Sequence, residues 1–169
     1  MKRLGRRGVT LLELLVVIAI SGILMGIAGF TAQGLRERDE VERQITQMHR
    51  DMVIARVRAF ERKMVYFVTV TNNGYQITED TNASGGTKPD PADMTLWPVP
   101  KQFRYHSQWK GTVIMGANGI ISKSTGPLMA NAGVDIRFEA DGIKPEKDCI
   151  SVGPTRIREG RWNGMHCVE

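Results

Sequence analysis

A run of 22 residues, 9–30 (VTLLELLVVIAISGILMGIAGF), holds a single ionisable side chain, Glu13, and follows the basic octet MKRLGRRG. At about 1.5 Å per residue such a run makes a helix of about 33 Å, enough to cross a hydrocarbon core about 30 Å thick. Lys2, Arg3, Arg6 and Arg7 are held on the cytoplasmic side by the bias of basic flanks, which predicts one pass with the N-terminus inside. A secretory signal peptide also begins basic and then apolar, and Gly26-x-Ala28 is a conceivable cleavage site. Its apolar core, however, covers only about 7–15 residues. A plain membrane anchor explains the length and the flanks but leaves Glu13 without a role. A carboxylate in a bilayer costs about 3 kcal/mol on insertion scales, so an intramembrane Glu is functional by default and needs a partner. The run itself offers no Lys or Arg. A Glu tolerated near the interface by snorkelling is the ordinary alternative.

The whole chain carries 23 Lys and Arg against 18 Asp and Glu, a formal +5. Four of those cations lie in residues 1–8, so the rest stands at about 19 against 18. The excess is therefore a local N-terminal tag and gives no general case for nucleic-acid binding. With 41% hydrophobic and 24% charged residues, a disordered chain, a collagen and a polytopic membrane protein are all excluded.

The stretch RRG-VTLLE, Arg6 to Glu13, resembles the leader of type IV pilins and type II secretion pseudopilins. The resemblance implies that a prepilin peptidase cuts between Gly8 and Val9 and methylates the new N-terminus. Val9 then becomes the first residue and Glu13 the fifth. Val9 departs from the Phe most often found there. Cleavage would supply the missing partner, because the α-amino group of one subunit can face Glu13 of its neighbour. Two buried charges are then compensated only on assembly. The resemblance further implies residence in the bacterial inner membrane, N-in and C-out, followed by transfer into a pilus or pseudopilus. Other pilin subunits are the expected partners. On this reading residues 1–8 are a cleaved leader, 9–35 a transmembrane helical half, and 36–169 an exported globular domain.

No proline occurs before Pro89. Beyond Phe30, Val41, Ile45, Met48, Met52, Ala55 and Ala59 recur at spacings of four and three among Arg, Glu, Asp and Gln, the stripe of an amphipathic helix. One helix is predicted from about Val9 to Arg62, with Met48 and Met52 in the core, and with Arg38–Glu42 and Arg58–Glu61 as neighbours on a solvated face. Gly22 and Gly26 either permit close approach of membrane helices or merely soften the helix.

From Met64 the period shortens. Strands are predicted at 64–70, 74–78, 102–107, 112–115, 134–140, 149–152 and 155–158, with a hairpin at Thr71–Gly74 and an exposed loop over 79–98. The expected fold class is α+β, a long N-terminal helix packed on a small, mostly antiparallel sheet. The pilin resemblance implies the same plan. Asn82-Ala83-Ser84 matches a glycosylation pattern too short to carry weight.

Cys149 and Cys167 both fall on the exported side, where an even pair most plausibly bonds. Such a bridge closes a loop of about 18 residues and stabilises the fold by about 3 kcal/mol on the chain-entropy model. His49, His106 and His166 form no ligand pattern, and no nucleophilic triad or phosphate loop is present. Neither an enzyme nor a metal or cofactor is expected.

The tail, with its Gly160-x-Trp162-Asn163-Gly164 element, and the Ala55-xxx-Ala59-xx-Arg62 helix end resemble GspH/FimT-type minor pilins. Some of these bind DNA during transformation through a Gly-Arg-x-Arg motif. Here Thr155-Arg156-Ile157-Arg158 keeps the arginines without the glycine. On a strand, Arg156 and Arg158 share a face about 6.5–7 Å apart, near the spacing of phosphates, with Arg161 as a third contact and Trp162 as a stacking ring. Double-stranded DNA is thus one expected partner. A solvated arginine face is the other reading of the same residues. The functional expectations are a minor pilin, a minor pseudopilin of a type II secretion system, or a DNA-binding pilin.

Overall fold

The computed structural model describes residues 10–96, 100–127, 133–139 and 142–169, with the side chains of 27–33 and 126–127 outside that set. The chain divides into two compact units, Met1–Glu37 and Arg38–Glu169.

Helix α1 runs from Leu11 to Arg62. It starts on Thr10, whose Oγ1 accepts the Glu13 N–H at 3.2 Å, satisfying one of the free donors of the first turn. Threonine followed three residues later by glutamate is a capping sequence, so Glu13 also belongs to the helix start. The helix ends at Lys63, which takes the left-handed conformation (φ 55°) while the Met64 N–H reaches back to Ala59 O at 3.2 Å. Lys63 occupies a position usually given to glycine, and its ammonium rests 3.9 Å from the centre of the Phe60 ring.

In the first unit the apolar side chains stand uncovered, from Leu11 (82% exposed) to Met25 (76%). Among the described residues, no helix is long and apolar enough to cross a membrane. The described apolar side chains, Leu11 to Met25, cover about 22 Å, and the remainder of the expected span, Val9 and residues 27–30, lies outside them.

The second unit is built on the helical stripe. Val41, Ile45, Met48, Met52, Ala55 and Ala59 are all fully buried, as their spacing predicts. They pack against two antiparallel sheets, where a single sheet is expected from the sequence. The strands are β1 (Tyr66–Thr71), β2 (Gly74–Glu79), β3 (Met94–Thr95), β4 (Lys101–Gln102), β5 (Gly111–Met115), β6 (Ile121–Lys123), β7 (Gly126–Pro127), β8 (Val134–Arg137), β9 (Cys149–Val152), β10 (Ile157–Trp162) and β11 (Cys167–Val168). Among the described residues the first sheet runs β3-β2-β1-β5-β6-β7, with β4 also on β2, and the second runs β11-β10-β9-β8.

Register decides which side chains reach the core. Val68 pairs with Ile77 on one side and Val113 on the other, and Tyr66 pairs with Met115, so these residues share the face that packs with α1. In the second sheet Val134–Val152 and Ile136–Ile150 play the same part. Phe103 joins the two groups, 5.4 Å from the Tyr75 ring and 5.0 Å, edge-on, from Phe138.

Several expected elements differ. Of the strand expected over 102–107 only Gln102 pairs in a ladder, as the second residue of β4, and Ser107 makes one isolated bridge with Phe138. Beyond β4, the N–H groups of Arg104 and Tyr105 donate to Gln44 Oε1 on the helix (2.9 and 3.0 Å), and Phe103 and Ser107 donate to the β1–β2 turn. One side chain and two turn carbonyls take these donors, so no ladder continues there. The strand expected at 155–158 begins at Ile157 and runs on to Trp162, because residues 153–156 form the turn closed by Gly153 N–H to Arg156 O. Glu42, expected beside Arg38, instead accepts the Glu146 N–H at 2.8 Å. The short strands β3, β6, β7 and β11 were not expected.

Candidate assembly site and C-terminal hairpin

Two places hold the residues singled out by sequence. The first is the start of α1. Gly8 and Val9, the expected processing pair, lie outside the described residues. Glu13 stands in the first helical turn, exposed, and its carboxylate has no partner among the described residues. An acidic group near a helix N-terminus interacts favourably with the helix dipole, which adds to its stability in the free chain.

The second place is the tail. Cys149 opens β9, Cys167 opens β11, and their sulfurs are bonded across Cα atoms 5.8 Å apart. Gly160, opposite Cys149 in the β9–β10 ladder, is where β11 crosses closest. A Cβ there would press into the Val168 carbonyl and stand 3.1 Å from Cys167 Sγ, so only glycine allows the strand to lie this near. Asp148 Oδ1 accepts the Trp162 N–H at 2.5 Å and Asp135 Oδ2 accepts the Cys167 N–H at 3.2 Å, which satisfies donors that the short ladders leave over.

Alternation along β10 separates the arginines expected to act together. Ile157, Glu159 and Arg161 share one face, while Arg158, Gly160 and Trp162 share the other. Arg161 is therefore not a third member of an Arg156–Arg158 row. Arg158 Nε lies 3.0 Å from Glu169 Oε1, and the Arg137 guanidinium sits 5.6 Å from the centre of the Trp162 ring. One expected phosphate contact is thus shared with a carboxylate, and the expected stacking ring already carries a cation. Arg156 precedes the strand, is exposed, and has no ion pair among the described residues. The hairpin does not present a single cationic face.

Sequence reasoning missed the residues that tie this tail to the helix. His49 Nδ1 lies 3.3 Å from Glu159 Oε1, and His49 Nε2 lies 3.2 Å from Ile157 O. Lys147 Nζ holds the other Glu159 oxygen at 2.6 Å, and that hydrogen bond raises the Lys147 pKa. Arg56 donates through Nε to Gly119 O (2.9 Å) and through Nη1 to Thr155 O (2.6 Å). His49 and Arg56 are seven residues apart, two helical turns, so both reach the same side of α1. That spacing was the only signal in the sequence, and it carried no hint of the carbonyls they meet. No group of three or more His, Cys, Asp or Glu able to hold a metal ion occurs among the described residues.

The structure thus combines a long N-terminal helix, uncovered along its apolar first turns, with an α+β unit closed by a disulfide-bonded tail. The prokaryotic N-terminal methylation motif matches residues 3–29. That motif supports the likeness to type IV pilins and pseudopilins. No curated protein and no solved structure matches it significantly.

Proposed function

We propose that the protein is a minor pilin, a non-enzymatic subunit that enters the initiating or capping end of a type IV pilus through its N-terminal helix. The observation that carries this reading is Glu13, an exposed carboxylate with no partner among the described residues, in the first turn of an uncovered apolar helix and inside the matched motif. After a cut between Gly8 and Val9, the new α-amino group lies four residues before it. In a packed bundle of helices, the amine of one subunit neutralises Glu13 of the next, and an unpaired buried ion of either sign costs several kcal/mol. Assembly in register is then favoured over any arrangement that leaves the two charges apart. Prepilin peptidase, the inner membrane and other pilin subunits are the partners this implies.

The rank of minor subunit is supported by the tail. Gly160-Arg161-Trp162-Asn163-Gly164 and the bonded cysteines resemble GspH/FimT-type proteins, and Gly160 holds the close approach of β11. A minor pseudopilin of a type II secretion machine would use the same helix start in the same way.

The mass of the mature N-terminus tests the proposal. A product beginning at Val9 and carrying one methyl group is expected; an intact Met1, or a cut near Ala28, overturns it.

A further inference from the structure

The helix has a second apolar ridge, which the core does not use. Val53, Val57 and Phe60 lie at i, i+4 and i+7 and are 38, 49 and 55% exposed. They floor an open groove of about 770 Å³ whose far wall is made by two turns, one at Asn118–Gly119 and one at Thr155–Arg156. All of it lies within the 38–169 unit.

We infer that this groove docks an acidic amphipathic helix of a different polypeptide, laid along the Val53–Val57–Phe60 ridge with its carboxylates toward Arg156. Three features select that occupant. The ridge repeats every three to four residues over about 10.5 Å, the spacing that receives the side-chain rows of another helix. Gly119 O and Thr155 O each already accept from Arg56, so an added strand would have to share those carbonyls with its guanidinium, whereas a helix needs no backbone bond from the wall. The charged lining is Arg56, Arg156 and Arg158 against Glu61, and with Arg158 paired to Glu169 the two remaining arginines still leave the groove electropositive. Arg56 meets carbonyls and no carboxylate, and Arg156 has no ion pair among the described residues. An apolar stripe flanked by Asp or Glu matches both the floor and the rim.

The inference goes beyond the assembly reading, since no part of it needs Glu13 or the leader. Its test uses the full chain in the cells that make it. Phe60→p-benzoylphenylalanine places a photo-cross-linker on the floor, and Met94→p-benzoylphenylalanine places one at a somewhat more exposed apolar site elsewhere. The expected result is one dominant adduct at Phe60 to another polypeptide, through a peptide with apolar residues at helical spacing and flanking carboxylates. Arg156→Glu should reduce its yield about tenfold, and replacing the nearest carboxylate of that peptide by Lys should restore it. The inference is overturned by a yield no greater than at Met94, by attachment to lipid or to a second copy of this chain, by a peptide without carboxylates, or by a yield that Arg156→Glu leaves unchanged.

Discussion

Lys101 Nζ stands 2.5 Å from Asp51 Oδ2, so the first residue of β4 is pinned to the buried face of the helix. The Tyr75 hydroxyl donates to the same carboxylate oxygen. Asp51 is only 5% exposed, and these two donors are what make a charge acceptable there. Asp51→Ala removes the carboxylate that accepts from the buried Tyr75 hydroxyl and from Lys101 and is expected to cost about 1–3 kcal/mol, read from the urea midpoint. Asp51→Asn, which keeps an acceptor, should cost less.

Alkaline stability depends on the same site. Burial first, then the bond to Asp51, raises the Tyr75 pKa well above its usual 10.0, and burial raises that of Tyr66. A pKa raised in the folded state means that the folded chain holds its proton longer than the unfolded one. The contribution is therefore complete below about pH 10 and is lost as pH climbs beyond the unfolded value. Unfolding free energies measured between pH 8 and 11 should fall toward the alkaline end, and Tyr75→Phe should flatten that fall.

Gly160→Ala should displace β11. The added methyl group meets backbone, which cannot swing aside as a flexible side chain does, so a loss of about 1–3 kcal/mol is expected. Amide exchange at Cys167, whose N–H is held by Asp135, should rise in the variant while exchange in β1 stays unchanged.

Reducing the Cys149–Cys167 bond, or replacing both cysteines by Ser, should lower stability by about 3 kcal/mol through the freed loop. Thermal unfolding with and without dithiothreitol measures it. A double-serine protein that no longer responds to the reductant is the control.

Glu13→Gln keeps the size of the side chain and removes its charge. Processing at Gly8 should continue while incorporation into a fibre falls at least about tenfold. Sheared pili or pseudopili probed for this chain report incorporation, and the N-terminal mass reports processing.

The buried stripe from Val41 to Ala59 and the end of α1 at Arg62 were legible because each depends on neighbours three or four residues away. The hairpin β1–β2 was legible for a similar reason, since alternation and two asparagines fix it locally. The segment 102–107 was misread because its composition suits a strand. Two of its N–H groups, those of Arg104 and Tyr105, instead go to Gln44, which lies about sixty residues earlier in the chain. His49 could be seen only as one of three scattered histidines, whereas its place between Glu159 and Ile157 O depends on a contact 108 residues away. Arg161 leaves the expected cationic row for another reason: the strand runs on to Trp162 rather than ending at Arg158, and alternation over those added residues puts Arg161 on the opposite face from Arg158.

The amino-acid order by itself determined the N-terminal methylation motif, the apolar run with its single carboxylate, the amphipathic helix and the pairing of two cysteines. Each follows from short-range periodicity, from transfer free energy or from there being one possible partner. The tertiary structure alone decided that there are two sheets, that Gln44, His49 and Arg56 hold distant backbone, and that a second apolar ridge of the helix is left open. Backbone donors and charged side chains take whichever partner the folded chain brings within about 3 Å, and no local pattern encodes that proximity.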